Sequence, residues 1–280
     1  MFHQQHPHDA IFAFGIDAPN PHYAGGCERG SDFAVAMPDT PIRVIEKGEW
    51  PGPLTFRRAW ARATARPWND AEPHASLRLI RGSTQFLEAC TELLVLREVP
   101  SVLSPPLPSG GRRTWLHVGY EEYLQLALMR REMTRVPPPP DHLVVETDRS
   151  RLSEMLDIDR AAFAPFWRFD AQGLREAMEA TGRSCVLVIR DSDGGLAGFA
   201  IVGFGTAIAY LQRVAVHPKW QGQGMGRSLV RVAARRARAD GSRVMLLNTQ
   251  LDNEPALSLY ESEGYIRLPE PLWLLKYQPT

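Results

Sequence analysis

Apolar and polar positions change their period repeatedly along this chain, and each change marks an element. From residue 141 onward the succession is regular. Residues 142–146 read as a strand. Residues 150–163 carry Leu152, Met155, Leu156 and Ile158, with Asp159 beside them, around a helix, and residues 171–180 form a second helix. Apolar runs at 185–189 and 196–204 flank Arg190-Asp191-Ser192-Asp193-Gly194-Gly195, a strong hairpin signal. Strand 208–216 follows, then a long amphipathic helix over 224–239 and a strand over 244–247. A helix over 253–263 is ended by Gly264. Residues 265–268 and 272–277 read as a hairpin-like pair turning at Pro269-Glu270-Pro271. The order β-α-α-β-β-β-α-β-α-β-β predicts an α/β fold with a mixed sheet, of the α+β kind.

The preceding segment, residues 41–136, also reads as folded. Short strands are expected at 42–45 and 76–80. A helix over 83–96 has Ser83 as its cap and Phe86, Leu87, Cys90, Leu93 and Leu94 at helical spacing. Residues 99–103 are strand-like. Gly119-Tyr120 then leads into Tyr123, Leu124, Leu126 and Leu128, which alternate. That ending echoes Gly264-Tyr265, and a helix and a strand precede both. Residues 137–140 are four consecutive prolines, a stiff polyproline II spacer that marks a boundary between 41–136 and 141–280. Residues 1–40 are broken by Pro and Gly and read as irregular. His3, His6 and His8 stand there among Gln and Pro, as in a polar tail rather than a metal site.

Composition narrows the class. The chain has 280 residues, 44% hydrophobic and 23% charged, with 32 basic and 32 acidic residues. That balance gives no global field for nucleic acid or an anionic membrane. No apolar run reaches the ~18 residues of a membrane span, and the N-terminus lacks a signal-peptide layout. Cys27, Cys90 and Cys185 are odd in number, scattered and outside any metal-ligand spacing, which fits a reducing, cytoplasmic compartment and no metal.

The chemistry concentrates in Leu211-Gln212-Arg213-Val214-Ala215-Val216-His217-Pro218-Lys219-Trp220, followed by Gln221-Gly222-Gln223-Gly224-Met225-Gly226. A strand, a Pro-containing turn and a glycine-rich loop run straight into a helix. Free N–H groups and the positive end of the helix dipole make such an entry an anion site. A P-loop needs GxxxxGK[ST], and no Lys follows these glycines. A dinucleotide loop needs GxGxxG directly after its strand, and this loop is GxGxG some five residues later. The third pattern, [QR]xxGxG, is met by Gln221, Gly224 and Gly226. It resembles the coenzyme A pyrophosphate loop of the GCN5-related N-acetyltransferase (GNAT) superfamily. A second motif stands in register, 27 residues after Gly226: Asn253-Glu254-Pro255-Ala256-Leu257-Ser258-Leu259-Tyr260, then Gly264-Tyr265. It is similar to the family's NxxAxxLYxxxGF signature, with Tyr for the final Phe. Within the superfamily the chain is most similar to the ribosomal-protein-alanine type. It is also similar to actinobacterial proteins carrying the stretches Phe166-Trp167-Arg168-Phe169-Asp170 and LQRVAVHP.

The resemblance implies a GNAT acyl-CoA N-acyltransferase fold in 141–280, preceded over 41–136 by a degenerate GNAT-like module. Such a module has lost its phosphate loop and catalytic tyrosine and shapes the acceptor side. It also implies an enzyme using acetyl-CoA to acetylate a primary amine, on a small molecule or a protein N-terminus, by direct attack. Gln221, Gly222, Gln223, Gly224, Met225 and Gly226 would cradle the pyrophosphate, with Arg227 near its oxygens. Arg231, Arg235 and Arg238 continue that stripe as a solvated face. Val214, Ala215 and Val216 would pair with the pantetheine arm. Asn253 would touch the arm, cap its helix, or do both. Tyr260 matches the family's general acid, because a phenol can return a proton to a departing thiolate; core packing is its competing role. Several relatives place Glu on the strand that here reads Tyr210-Leu211-Gln212-Arg213. This strand has no carboxylate, so the base is unassigned, with Tyr210 or Gln212 able to hold water. Trp167 and Asp170 fall where the family borders its acceptor pocket, and Asp170 also fits a helix cap. Two other classes remain open: a non-catalytic acyl-CoA-binding regulatory module, and a glycine-loop nucleotide binder.

Overall fold

The structure, a computed structural model, describes residues 43–279. The expectations for residues 1–40, with His3, His6, His8 and Cys27, lie outside the described residues.

The first half runs β1 (Ile45–Lys47), β2 (Leu54–Arg58), β3 (Ala61–Pro67), β4 (Ala75–Arg81), α1 (Thr84–Val95), β5 (Val102–Leu103), α2 (Arg113–His117) and β6 (Glu121–Glu132). The second half runs β7 (Val144–Thr147), α3 (Leu152–Ala162), α4 (Ala171–Glu179), β8 (Arg183–Arg190), β9 (Leu196–Phe204), β10 (Ile208–Val216), α5 (Met225–Ala239), β11 (Val244–Gln250), α6 (Glu254–Ser262), β12 (Ile266–Arg267) and β13 (Leu272–Tyr277). Helix α1 begins where its cap predicts: Ser83 Oγ accepts from the Phe86 N–H at 3.2 Å. Strands β2 and β3 and helix α2 have no counterpart in the sequence reading. The buried face of β3 is Ala61, Ala63 and Ala65, and alanines give an alternation too weak in hydrophobicity to mark a strand.

Among the described residues the strands form one continuous sheet in the order β1-β2-β3-β4-β5-β13-β6-β11-β10-β9-β8-β7, with β12 also on β6. Helix α5 covers one face of the second half with Leu229, Val230, Ala233, Ala234 and Ala237, and α3 and α4 cover the other. Each fully buried Leu or Val there is worth about 1.5–3 kcal/mol of apolar burial.

One expectation is corrected by this order. Strands β12 and β13 are not a hairpin; both lie along β6, which is long enough to pair with each. The sheet runs on across the proline segment. Strand β6, which precedes them, is inserted between β11 and β13. In return the C-terminal β13 pairs with β5 of the first half, Lys276 opposite Leu103 and Tyr277 opposite Val102. The two halves have exchanged their closing strands.

They also mirror each other. The parallel pair β4/β5 is spanned by α1, as β10/β11 is spanned by α5. Gly119 at φ +94° and Gly264 at φ +85° each precede a buried tyrosine, Tyr120 or Tyr265. Five residues upstream of these stand Trp115 and Tyr260, in edge-to-face contact with them at 4.8 Å and 5.7 Å. The first half thus has a tryptophan where the second has Tyr260. Its spanning helix starts at a serine cap instead of a glycine loop.

The segment over 137–140 is not a free spacer. The Arg238 Nε donates to Met133 O at 3.2 Å, Arg235 Nη1 to Pro137 O at 2.8 Å and Arg231 Nη1 to Pro139 O at 3.0 Å. The stripe expected to be solvated is therefore the surface that holds the linker. Prolines lack N–H donors but keep their carbonyls, which need donors from elsewhere.

Candidate functional site

The site begins with a fault in the sheet. Strands β10 and β11 pair in parallel only at Ile208/Val244, Ala209/Met245 and Tyr210/Leu246. The register of β10 against β9 then shifts between Leu211 and Arg213, so Gln212 is a bulge. Past it, β10 stays with β9 and leaves β11. The gap is a cleft walled by Tyr210, Leu211, Gln212, Arg213 and Val214 on one side and Leu246, Leu247, Asn248, Thr249 and Gln250 on the other. Leu126, Phe163 and Trp167 line it further, as do Asn253, Ala256 and Tyr260. The bulge also resets which face each side chain takes. Leu211 and Val214 pack with α5, whereas Ala215 packs with α3 and α4.

The glycine loop sits at the end of β10. Gly226 approaches Val216 and Leu259 of α6: a Cβ built on it would lie 3.7 Å and 3.6 Å from their methyl carbons. Gly222 at φ +74° and Gly224 at φ +81° adopt left-handed backbone that a side chain resists, and Gly224 is the N-cap of α5 with no side-chain cap. The first N–H groups of a helix that long therefore remain for a ligand. Gln221 Nε2 donates to Val216 O at 2.9 Å, tying the loop to the strand, and Gln223 Nε2 reaches Lys219 O at 3.3 Å. Met225 is different in kind: its side chain is buried in the core cluster that also holds Leu229 and Tyr260, so only its backbone belongs to the loop. Arg227 is exposed and 3.6 Å from Glu263. His142, just past the prolines, places Nε2 at 2.8 Å from Gln223 O and braces the loop from outside.

Tyr260 is buried at the cleft, and burial pushes its hydroxyl up to about 12, with the nearby Arg213 charge pulling the other way. Burial likewise pushes Tyr210 up to about 12. Both phenols stay neutral at physiological pH. Asn253 has both expected places: it lines the cleft, and its Oδ1 accepts from Ala256 N at 3.2 Å as the cap of α6. Gln212 lines the cleft too, with a buried Nε2 that has no partner among the described residues. Asp170 is not in the cleft. It caps α4, accepting from Gly173 N at 2.6 Å, and lines a second cavity beyond Trp167, which borders both. Carboxylates are absent from the cleft lining, and among the described residues no His/Cys/Asp/Glu cluster fit for a metal occurs.

Several residues were beyond the sequence reading. Leu126 comes from the first half, through the exchanged β6. Asp159, fully buried on the apolar face of α3, pairs with Arg213: Nε to Oδ2 at 2.7 Å and Nη2 to Oδ1 at 2.8 Å. A carboxylate in that face was the visible signal. The connection between α3 and α4 is gripped from the first half. Asn69 Nδ2 reaches Pro165 O at 2.9 Å, Phe166 O at 3.3 Å and Arg168 O at 3.1 Å, and Trp68 Nε1 donates to Phe166 O at 2.6 Å. Nothing in local sequence marks these two residues.

Residues 152–265 match the acetyltransferase (GNAT) family profile. A mycothiol acetyltransferase of Kocuria rhizophila is 26% identical over 75% of this chain. The chain spans 65% of that relative's own length, less than two thirds. A putative [ribosomal protein bS18]-alanine N-acetyltransferase of Bacillus subtilis is 25% identical over 40% of this chain and 73% of its own. Among solved structures, a tandem GNAT protein from the clavulanic acid biosynthesis pathway superposes with a TM-score of 0.58 at 16% identity, covering 81% of this chain and 83% of that one. At that identity the likeness shows the fold alone. No described helix is long and apolar enough to cross a membrane.

Proposed function

We propose that the protein, whose residues 152–265 match the acetyltransferase (GNAT) family profile, is an acetyl-CoA-dependent N-acetyltransferase acting on a primary amine. One observation carries the reading. Strand β10 leaves β11 at a cleft that holds a buried, neutral tyrosine along its wall, and the same strand runs on to an uncapped glycine-loop helix entry.

The residues present fit acetyl-CoA. Backbone N–H groups of Gln221–Gly226 and the first turn of α5 face a pyrophosphate. Gly222 leaves open space, since a Cβ there would meet no atom within 4 Å. Residues 213–216 of β10 have no strand partner on the β11 side, which leaves a backbone edge for the pantetheine amides up to Val216, whose carbonyl is taken by Gln221 Nε2. Asn253 reaches the same arm from α6. Bound acetyl-CoA supplies the electrophile, a thioester carbonyl. The acceptor enters from the side of Trp167 and Phe163. A backbone N–H of the freed β10 edge meets the carbonyl oxygen as charge develops there. The amine nitrogen forms the new C–N bond, the C–S bond breaks, and Tyr260 gives its proton to the departing thiolate. The proton lost by the amine returns to the phenol by way of solvent. A neutral amine is required, and with no carboxylate in the cleft the proton leaves through water near Tyr210 and Gln212. The first half shapes the acceptor side by fixing the α3–α4 connection.

Thermal unfolding with acetyl-CoA, with ATP and NAD as controls, tests the reading. A ligand at 100 times its Kd adds about 2.7 kcal/mol and raises the midpoint by a few degrees. The expected result is a rise with acetyl-CoA alone. No rise, or an equal rise with ATP, removes the assignment.

A further inference from the structure

The Arg213 guanidinium has five N–H donors, and the structure accounts for three. Nε donates to Asp159 Oδ2 at 2.7 Å, while Nη2 donates to Asp159 Oδ1 and to Trp167 O, both at 2.8 Å. The two N–H groups of Nη1 have no partner among the described residues. Nη1 is not fully buried, and Arg213 lines the cleft. The group is rigidly held. Phe163 and Phe169 sandwich it, with ring centroids 3.6 Å and 3.9 Å from its central carbon. Asp159 is itself shared, since its Oδ1 also accepts from Phe169 N at 2.8 Å. A pair of fixed donors on one cationic nitrogen suits an anionic oxygen, and leaving them dry costs free energy.

The rest of the acceptor side agrees. The cleft lining has no carboxylate to receive an ammonium. In the cavity beyond Trp167, both carboxylates are committed: Asp170 caps α4, and Glu176 takes Arg66 Nε at 2.9 Å.

We propose that Arg213 is the acceptor-binding residue and that the acceptor is a small carboxylate-bearing primary amine, an amino acid with an apolar or aromatic side chain, whose carboxylate sits on Nη1. This rests on the acetyltransferase reading. The nitrogen then lies in the cleft shared with Tyr260, and Phe163, Trp167, Leu126 and Tyr210 offer the apolar wall for its side chain.

The test is thiol release from acetyl-CoA with alanine, leucine, phenylalanine and tryptophan, each beside its carboxamide and its decarboxylated amine. The expected result is turnover of the acids over both partners by on the order of 10- to 100-fold, the range for a hydrogen bond to a charged group. Arg213→Lys keeps the charge opposite Asp159 and removes the Nη1 pair. It should raise the KM for the acid by a similar factor while leaving the acetyl-CoA midpoint rise intact, which also shows that the variant is folded. If acetyl-CoA gives no midpoint rise with the natural chain, the acetyltransferase reading fails. If it gives one, yet carboxamides and decarboxylated amines react as fast as the acids, or no acid reacts, the carboxylate assignment alone is overturned. An unchanged KM for the acid in Arg213→Lys overturns it as well.

Discussion

Tyr260 carries two loads. It packs edge-to-face on Tyr265 in the core, and it lines the cleft. Tyr260→Phe keeps the ring and removes only the hydroxyl. Kcat should fall by at least ~100-fold, the usual scale for a lost acid, with the acetyl-CoA midpoint rise unchanged; a full-rate variant would remove the acid role. Because burial pushes the phenol up to about 12, it stays protonated well above its ordinary range. The pH–rate profile should show no alkaline decline from this group up to about pH 10. At this scale the glycine loop, Asn253 and Tyr260 were legible because two motifs with fixed spacing name them. Arg213 was not, since its partner Asp159 lies 54 residues away and only the fold joins them.

Elements show a different division. Periodicity placed α1, α3, α4, α5 and α6 to within a few residues, because each buries one apolar stripe. It missed β2 and β3, whose inner face is small, and it could not show that β10 would leave β11 at a bulge. The α3–α4 connection borders the proposed acceptor side, and its shape is imposed from outside. Asn69 holds three of its carbonyls, and Arg213 takes a fourth at Trp167. Asn69→Ala leaves those groups short of donors and should cost about 1–3 kcal/mol in a urea melt. It should also raise the acceptor KM and spare that of acetyl-CoA. Equal KM values for the acceptor would show that the first half does not tune the acceptor side.

At the scale of the whole molecule, the exchange of β6 and β13 makes the halves one sheet. The proline run reads as a boundary in covalent order, and strand exchange leaves no local signal of its own. Residues 141–280 made alone would leave β11 without β6, and β13 without β6 and β5. They should be insoluble or unfolded by circular dichroism, and co-expression with residues 1–140 should restore an acetyl-CoA midpoint rise. Folding of 141–280 alone would show that the exchange is dispensable. Alkaline stability is also a property of the whole. Burial raises Cys90 and Cys185 from 9.0 to about 12, and Tyr210 and Tyr260 from 10.0 to about 12. The unfolded chain therefore releases these protons first. Stability is full below about pH 9 and should fall as pH rises from there toward 12, read as a falling urea midpoint; a flat midpoint across that window would contradict the burial. The linker adds a last constraint, one of measure. Two polyproline residues advance about 6.2 Å, and four helical residues advance about 6.0 Å. Arg231 and Arg235, one helical step of four apart, meet Pro139 and Pro137, one proline step of two apart. The proline run works as a vernier against α5, graduated so that His142 arrives at the glycine loop. One residue added to it or removed would slide the scale by half a division and leave the loop without its outer brace.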